Sequence, residues 1–334
     1  MTDFYHLQLP TEWISAPETW SSTVLDDVGK CPRRWQLLRS AWGEHRRFPV
    51  RPAPAAIEGE IIHEALDRLT RACGRLGNPP LASEAFSAAV SDCDFFDFFN
   101  DAISQWHTTL GAHPRPGPHY RLRATAKELA NRAIRLFREQ YRPKGGSPNV
   151  APASTTRVAG RTTDYQALLK KKENLSEVRL HHPSLPFMGI LDLVRRDSDD
   201  INIIDFKTGR PSESHRRQLL RYALLWWRNT GDIPATIQAQ YLEGSATWTI
   251  DRDELTLVEQ QLSNDIAACI DELATRPASA TPDQHCYHCP VRARCNEGWA
   301  HSLKSNGKRE GRDAEIVAKT TPGDHGFLAQ NDQG

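Results

Sequence analysis

A chain of 334 residues with 39% hydrophobic content can bury a core of its own, as one large domain or as a core domain with a sizeable insertion. Forty-two basic and forty-two acidic side chains cancel, so the global field neither favours nor excludes nucleic acid as a partner. No run approaches the roughly 18 apolar residues of a membrane span, and the opening MTDFYHLQLPTEW lacks the order of a signal peptide, so a cytoplasmic protein with no membrane partner is expected.

The pattern predicts a helix through Asp26 to Ser40 and a second from Glu58 to about Arg71, whose Ile61, Ile62, Ala65, Leu66 and Leu69 keep a helical period. Between Arg33 and Arg51 the chain carries a basic stretch, Arg33, Arg34, Arg39, Arg46, Arg47 and Arg51, interleaved with Trp35 and Trp42. Such a stretch either tracks phosphates and stacks bases or is a solvated helix face. From Cys73 to about Arg142 the pattern stays helical, broken at GNPP and at HPRPGPH, and Pro143 to Pro152 is a Pro/Gly-rich loop. Strands follow near 176–182, 187–196 and 201–207, rich in β-branched and aromatic residues and divided by the turn-prone DSDD, which predicts a three-stranded meander. A helix from about Ser214 to Trp227, strands near Thr236 to Leu242 and Ala246 to Ile250, and a long helix opened by a capping box at DRDE and reaching about Leu273 complete the order. Beyond Leu303 the polar, Gly/Asp/Lys-rich composition predicts a mobile tail.

In IIDFK, residues two apart on a strand share a face, so Asp205 and Lys207 point together while Ile204 and Phe206 point into the core. The preceding strand carries Asp192 in GILDLV, an acid that is costly to bury without a partner or a metal. Carboxylates on adjacent strands are suitable ligands for Mg2+ or Mn2+. Taken singly, His63 reads as an ordinary helix histidine and Asp205/Lys207 as a surface ion pair worth little.

Taken together, GEIIH, GILD, DFK and QLLRY, in that order and each on the element it requires, resemble the PD-(D/E)XK nuclease superfamily. The resemblance is to its RecB-like branch, which shares G-x-x-x-H, G-x-x-D, D-x-K and Q-x-x-x-Y, and it covers roughly residues 20–300. It implies an α/β, restriction-endonuclease-like core: a central mixed sheet flanked by helices, with a helical insertion and a clasp joining the two chain ends. It implies His63, Asp192 and Asp205 as metal ligands with the Phe206 backbone carbonyl, Lys207 as the group that orients the attacking water, and Glu177 as an extra acid. Gln218 and Tyr222, four apart on one helix face, would contact the DNA backbone or brace the site. An imidazole ligand shifts metal preference somewhat toward Mn2+.

Seven cysteines in a large chain point to metal binding or reduced thiols rather than to a disulfide framework. Cys286, Cys289 and Cys295 form a C-x2-C-x5-C run, and Cys31 sits far upstream in KCPRRW. In iron-sulfur members of the RecB-like branch, AddB-type and CRISPR-associated exonucleases among them, a similar cysteine joins a C-terminal triplet on a [4Fe-4S] cluster. Four thiolates also make a closed Zn2+ site, in which His285 or His288 can replace a cysteine, and spacing alone does not separate the two. Cys73, Cys93 and Cys269 are isolated, ordinary thiols.

The expected organisation is an N-terminal helical part at 1–72 with the first cluster cysteine and His63, a helical insertion at 73–150, the core sheet, its helices and the cysteine triplet at 151–302, and the tail at 303–334. The expected function is metal-dependent hydrolysis of DNA, as an exonuclease on single strands or DNA ends, in repair, recombination or defence. No Walker-type GKT or GKS loop occurs, so a helicase motor or a defence-system subunit would be a separate partner. The rival classes are a non-catalytic DNA-binding or scaffolding subunit and a zinc-ribbon adaptor. Arg33, Arg34 and Trp35 are candidate DNA contacts.

Overall fold

The structure is a computed structural model that describes residues 7–50, 53–113, 122, 124–143, 164–305, 317–318 and 327–328. In chain order the elements are α1 (Ser22–Lys30), α2 (Pro32–Arg39), α3 (Pro54–Arg75), α4 (Glu84–Asp92), α5 (Phe95–Gly111), α6 (Ala126–Gln140), α7 (Tyr165–Lys172), β1 (Asn174–His181), β2 (Met188–Asp197) and β3 (Asp200–Lys207). They continue with α8 (Glu213–Thr230), β4 (Thr236–Tyr241), β5 (Ser245–Thr249), α9 (Arg252–Glu272), α10 (Asn296–Ser305), β6 (Val317–Ala318) and β7 (Phe327–Leu328). The chain divides into two compact units. A sheet unit comprises Pro52–Ala112 and Gly117–Ser263, and a terminal unit comprises Met1–Arg51, His113–Pro116 and Asn264–Gly334.

The sheet unit is α/β, with a five-stranded mixed sheet in the order β1-β2-β3-β4-β5. The meander expected from DSDD is present: β1 pairs antiparallel with β2, and β2 with β3. The fourth strand runs parallel to β3, which obliges the chain to cross over, and α8 is that crossover. The fifth closes the edge antiparallel to β4. Ile204, Phe206 and Leu193 join a core built with α3 to α6, which contribute Ile57, Ile62, Leu69, Phe99, Leu129 and Leu136 among others. By strand alternation Asp205 and Lys207 face the other way, toward α8, which lies against β1 to β4. Residues Leu219 to Trp226 of α8 are all buried, and Gly231, at φ 83°, ends the helix in the left-handed conformation that glycine adopts without strain. Two caps differ from expectation. At DRDE, Asp251 accepts the Glu254 N–H at 2.9 Å, but the Glu254 carboxylate pairs with Arg216 instead of closing a capping box. The reciprocal box forms at α6, between Thr125 and Glu128.

In the terminal unit the single helix expected over Asp26 to Ser40 is two. Pro32 clashes with a helical conformation of the residue before it, and Cys31 is accordingly extended, at φ −166° and ψ 102°. Cys31 therefore ends α1 and caps α2, its Sγ accepting the Arg34 N–H at 3.5 Å. The N-terminal segment is bonded to the C-terminal one through Gln36, fully buried, which donates to the Thr275 carbonyl at 3.1 Å and accepts from the Ala278 N–H at 2.8 Å. Leu37, Trp42 and Phe48 share a small core with Val291 and Cys295.

No helix among the described residues is long and apolar enough to cross a membrane. The loop expected at 143–152 and the break at HPRPGPH lie outside the described residues except for Pro143 and His113, and so does the tail beyond Ser305 except for the antiparallel β6–β7 pair.

Candidate active site

The site forms where the sheet stops being a sheet. The β2–β3 ladder ends at the pair Leu193 and Ile204. One residue further on, the Asp192 side chain takes over from the backbone, its Oδ2 accepting the Phe206 N–H at 2.8 Å. The strands splay here and leave Asp192 and Asp205 facing each other. Asp205 is 2% exposed, and Lys207 Nζ stands 2.5 Å from its Oδ2 in an ionic contact. The same ammonium donates to Gln218 Oε1 at 2.8 Å, and Gln218 Nε2 donates to the Tyr222 hydroxyl at 2.6 Å, so one face of α8 fixes the lysine through a two-link chain. From α3, His63 Nδ1 lies 3.3 Å from Asp192 Oδ2, and its ring meets the Phe206 ring edge-on. On β1, Glu177 stands opposite Asp192 with its backbone at φ 48°, a left-handed conformation that is costly for a glutamate and aims its carboxylate at the same place. The donor atoms of His63, Glu177 and Asp192 lie within 4.8 Å of one another.

These charges do not balance. Three carboxylates meet one ammonium and one imidazole in a largely buried site. Burial and the neighbouring Asp192 push the Asp205 carboxyl well above the ordinary range, with Lys207 opposing only part of the rise. Burial, Asp192 and Asp67 raise Glu177 to about 7. Burial works against charge on His63, yet Asp192 and Asp205 outweigh it and lift the imidazole to about 9. Burial would also raise Asp192, but His63, the Phe206 N–H and Lys207 hold it below the usual range. The metal-free site thus keeps protons on groups that are ligands only without them. A divalent cation bound by hard oxygens with one imidazole fits this donor set and relieves its excess negative charge.

Two glycines of the predicted motifs are explained by close approach. A Cβ on Gly59 would meet Thr208 Oγ1 at 3.1 Å, just beyond Lys207. On Gly189 it would stand 2.8 Å from both Leu225 Cδ1 and Tyr222 Cε1. Gly189→Ala is therefore expected to destabilise by about 1–3 kcal/mol through overpacking and to displace Tyr222 from Gln218. Chemical denaturation together with a rate measurement checks this, and a variant of unchanged stability and rate would show that α8 can yield.

The family model that matches this chain is that of the PD-(D/E)XK nuclease superfamily, and it spans residues 19–296. The chain belongs to the PD-(D/E)XK nuclease superfamily. Members of the superfamily are phosphodiester-hydrolysing nucleases that usually use Mg2+ or Mn2+. Among solved structures, the crystal structure of SSO0001 aligns with this protein over 72% of its chain and 94% of the other, at 15% identity and a TM-score of 0.28. No curated protein shows significant similarity to it.

The fold brings the other predicted residues together unevenly. In the terminal unit Cys31, Cys286, Cys289 and Cys295 line one small cavity, along with His285. The Gly298 N–H donates to Cys295 Sγ at 3.4 Å, and a Cβ at Gly298 would press on the sulfurs of Cys295 and Cys286 at 3.4 and 3.5 Å. Burial raises the Cys289 thiol to about 11 and raises Cys295 as well. His285 Nε2 is buried without a hydrogen-bond partner among the described residues. Four thiols, N–H donors to two of their sulfurs and an orphaned imidazole nitrogen fit a structural metal centre. Arg33 is taken up inside the unit, its Nε donating to the Ala278 carbonyl at 2.8 Å and its guanidinium pairing with Glu297. Trp35 is 5% exposed. Arg34 lies 3.5 Å from Asp27 and lines an open groove with Trp35.

Proposed function

We propose that this protein is a metal-dependent deoxyribonuclease of the RecB-like branch, an exonuclease acting on single-stranded DNA or DNA ends, in repair, recombination or defence against foreign DNA. The observation that carries the reading is the convergence of Asp192, Asp205 and Lys207 with His63 and Glu177 where β2 and β3 splay. His63, Asp192, Asp205 and the Phe206 carbonyl would hold Mg2+ or Mn2+, with Glu177 beside them, and the ion would supply Lewis-acid polarisation of the phosphate and a lowered pKa for the attacking water. Lys207, fixed by Asp205 and Gln218, has a third N–H left to orient that water against the phosphate. Tyr222 holds Gln218, and through it the direction of the lysine. End-labelled single-stranded and duplex DNA, incubated with the protein and Mn2+, Mg2+ or EDTA, tests this. Shortening from ends in either metal and none in EDTA is expected; intact DNA in every arm overturns the reading.

Metal binding must displace protons. His63 is protonated below about 9 and Glu177 below about 7, so affinity for Mn2+ should rise with pH across that range. At pH 7 about one to two protons should leave per ion, measured by calorimetry in buffers of different ionisation enthalpy. Affinity independent of pH, with no proton released, would remove His63 from the ligand set.

For the cysteines the reading is a [4Fe-4S] cluster rather than Zn2+, joining the N- and C-terminal segments of the terminal unit. The preference rests on the resemblance to iron-sulfur members of the RecB-like branch, since four thiolates also make a closed Zn2+ site.

A further inference from the structure

The basic stretch that the candidate active site leaves unused folds into a groove of about 550 Å3 in the terminal unit. Its walls carry Arg34, Arg39, Arg46 and Arg47 against a single carboxylate, Asp27, in a chain whose total charge is zero. Asp27 is already engaged with Arg34. Among the described residues no carboxylate pairs with Arg39, Arg46 or Arg47, and Arg46 and Arg47 are exposed. Unpaired guanidiniums repel one another, so gathering three of them in one concavity is unfavourable unless an anion completes the group. The volume suits a ligand-sized segment, such as a stretch of one strand. Trp35 and Phe48 also line it but are 5% and 6% exposed, so neither offers a free face on which a base could stack.

We infer that this groove binds the phosphodiester backbone of a single nucleic-acid strand, holding it by charge and without regard to base sequence. The choice of a nucleic-acid strand over other polyanions rests on the nuclease reading; the anion site itself rests on the arginines. The groove lies in the terminal unit, apart in sequence from the residues of the candidate active site, and acts as a second hold on the strand. Arginine suits this work because its fork of donors matches two phosphate oxygens at once.

The test is fluorescence anisotropy of a labelled single-stranded oligonucleotide with the full-length protein in EDTA, across a salt series. Arg46→Ala/Arg47→Ala should flatten the plot of log K against log salt by about 1.4, two contacts at roughly 0.7 each, which is about 25-fold in affinity near 0.1 M salt. Arg46→Lys/Arg47→Lys should keep the slope, because charge is retained. Oligonucleotides of different base composition should bind alike. An alanine variant with unchanged slope and affinity overturns the groove assignment. So does competition by polyglutamate as effective as that by unlabelled DNA, which would make the groove a seat for an acidic protein. Either result leaves standing a nuclease that still cuts DNA in Mn2+. Conversely, a wild type that cuts no DNA but binds it with a slope that falls in the alanine variant removes the nuclease reading and keeps the groove.

Discussion

Asp205→Asn is expected to lower the rate of DNA cleavage by roughly 10^3-fold or more, since it removes a proposed metal ligand and the anion that fixes Lys207. Lys207→Ala should cost a similar factor while leaving metal affinity nearly intact, which separates the two roles. The asparagine variant should also be more stable than the wild type in EDTA. Burial and Asp192 raise the Asp205 pKa in the folded state, so folding holds that proton more tightly than the unfolded chain does. The resulting stability is present at low pH and is lost as pH rises above the ordinary carboxylate range near 4. Asn carries no charge at any pH and escapes the loss. A melting series from pH 5 to 8, without metal, should show the gap between variant and wild type widening up to about pH 7 and levelling off above it. Mn2+ should then raise the melting temperature of the wild type and not that of Asp205→Asn. Cleavage by Asp205→Asn at the wild-type rate would sink the proposed site.

The second large effect is expected at the cysteines. Cys31→Ser keeps a hydroxyl where α2 needs a cap, and serine caps helices well, so the helix start survives. What is lost is the proposed centre that would tie residue 31 to the 286–295 segment. Closing a loop of that length stabilises by about 5 kcal/mol on chain-entropy grounds, which corresponds to a fall in melting temperature of about 10–20 °C when it opens. Serine at Cys286, Cys289 or Cys295 should give the same loss, together with the loss of iron and of the broad absorption near ~400 nm. Serine at Cys73, Cys93 or Cys269, which lie elsewhere, should not. Elemental analysis of anaerobically purified protein checks this: stoichiometric zinc without iron would replace the cluster by a zinc site and leave the nuclease assignment untouched.

Asp205, Lys207 and Asp192 were legible in the sequence because strand period and hydrophobic flanks fix which face each occupies. The β1–β2–β3 meander was legible from the strand pattern and the DSDD turn, whereas the pairing of β4 parallel to β3 across α8 is set by tertiary packing. Other features depend on contacts between distant segments. Nothing local announces that Glu177 sits at positive φ, since glutamate in SEVRL reads as an ordinary strand residue. The break at Cys31 was written in the Cys-Pro step and was outweighed by the helical period on either side. Arg33 and Trp35 carry the same local signal as Arg46 and Arg47, yet the first two are packed and the last two exposed. Charge and aromaticity mark a stretch; only packing against residues 275–297 decides which members face solvent.

The most direct test of the central account is to locate the metal. In crystals grown with Mn2+, an anomalous difference map at the manganese edge should show a peak within roughly 2.0–2.3 Å of carboxylate oxygens of both Asp192 and Asp205, with Lys207 outside the coordination sphere. A protein that cleaves DNA in Mn2+ yet shows no manganese between those two strands would contradict it.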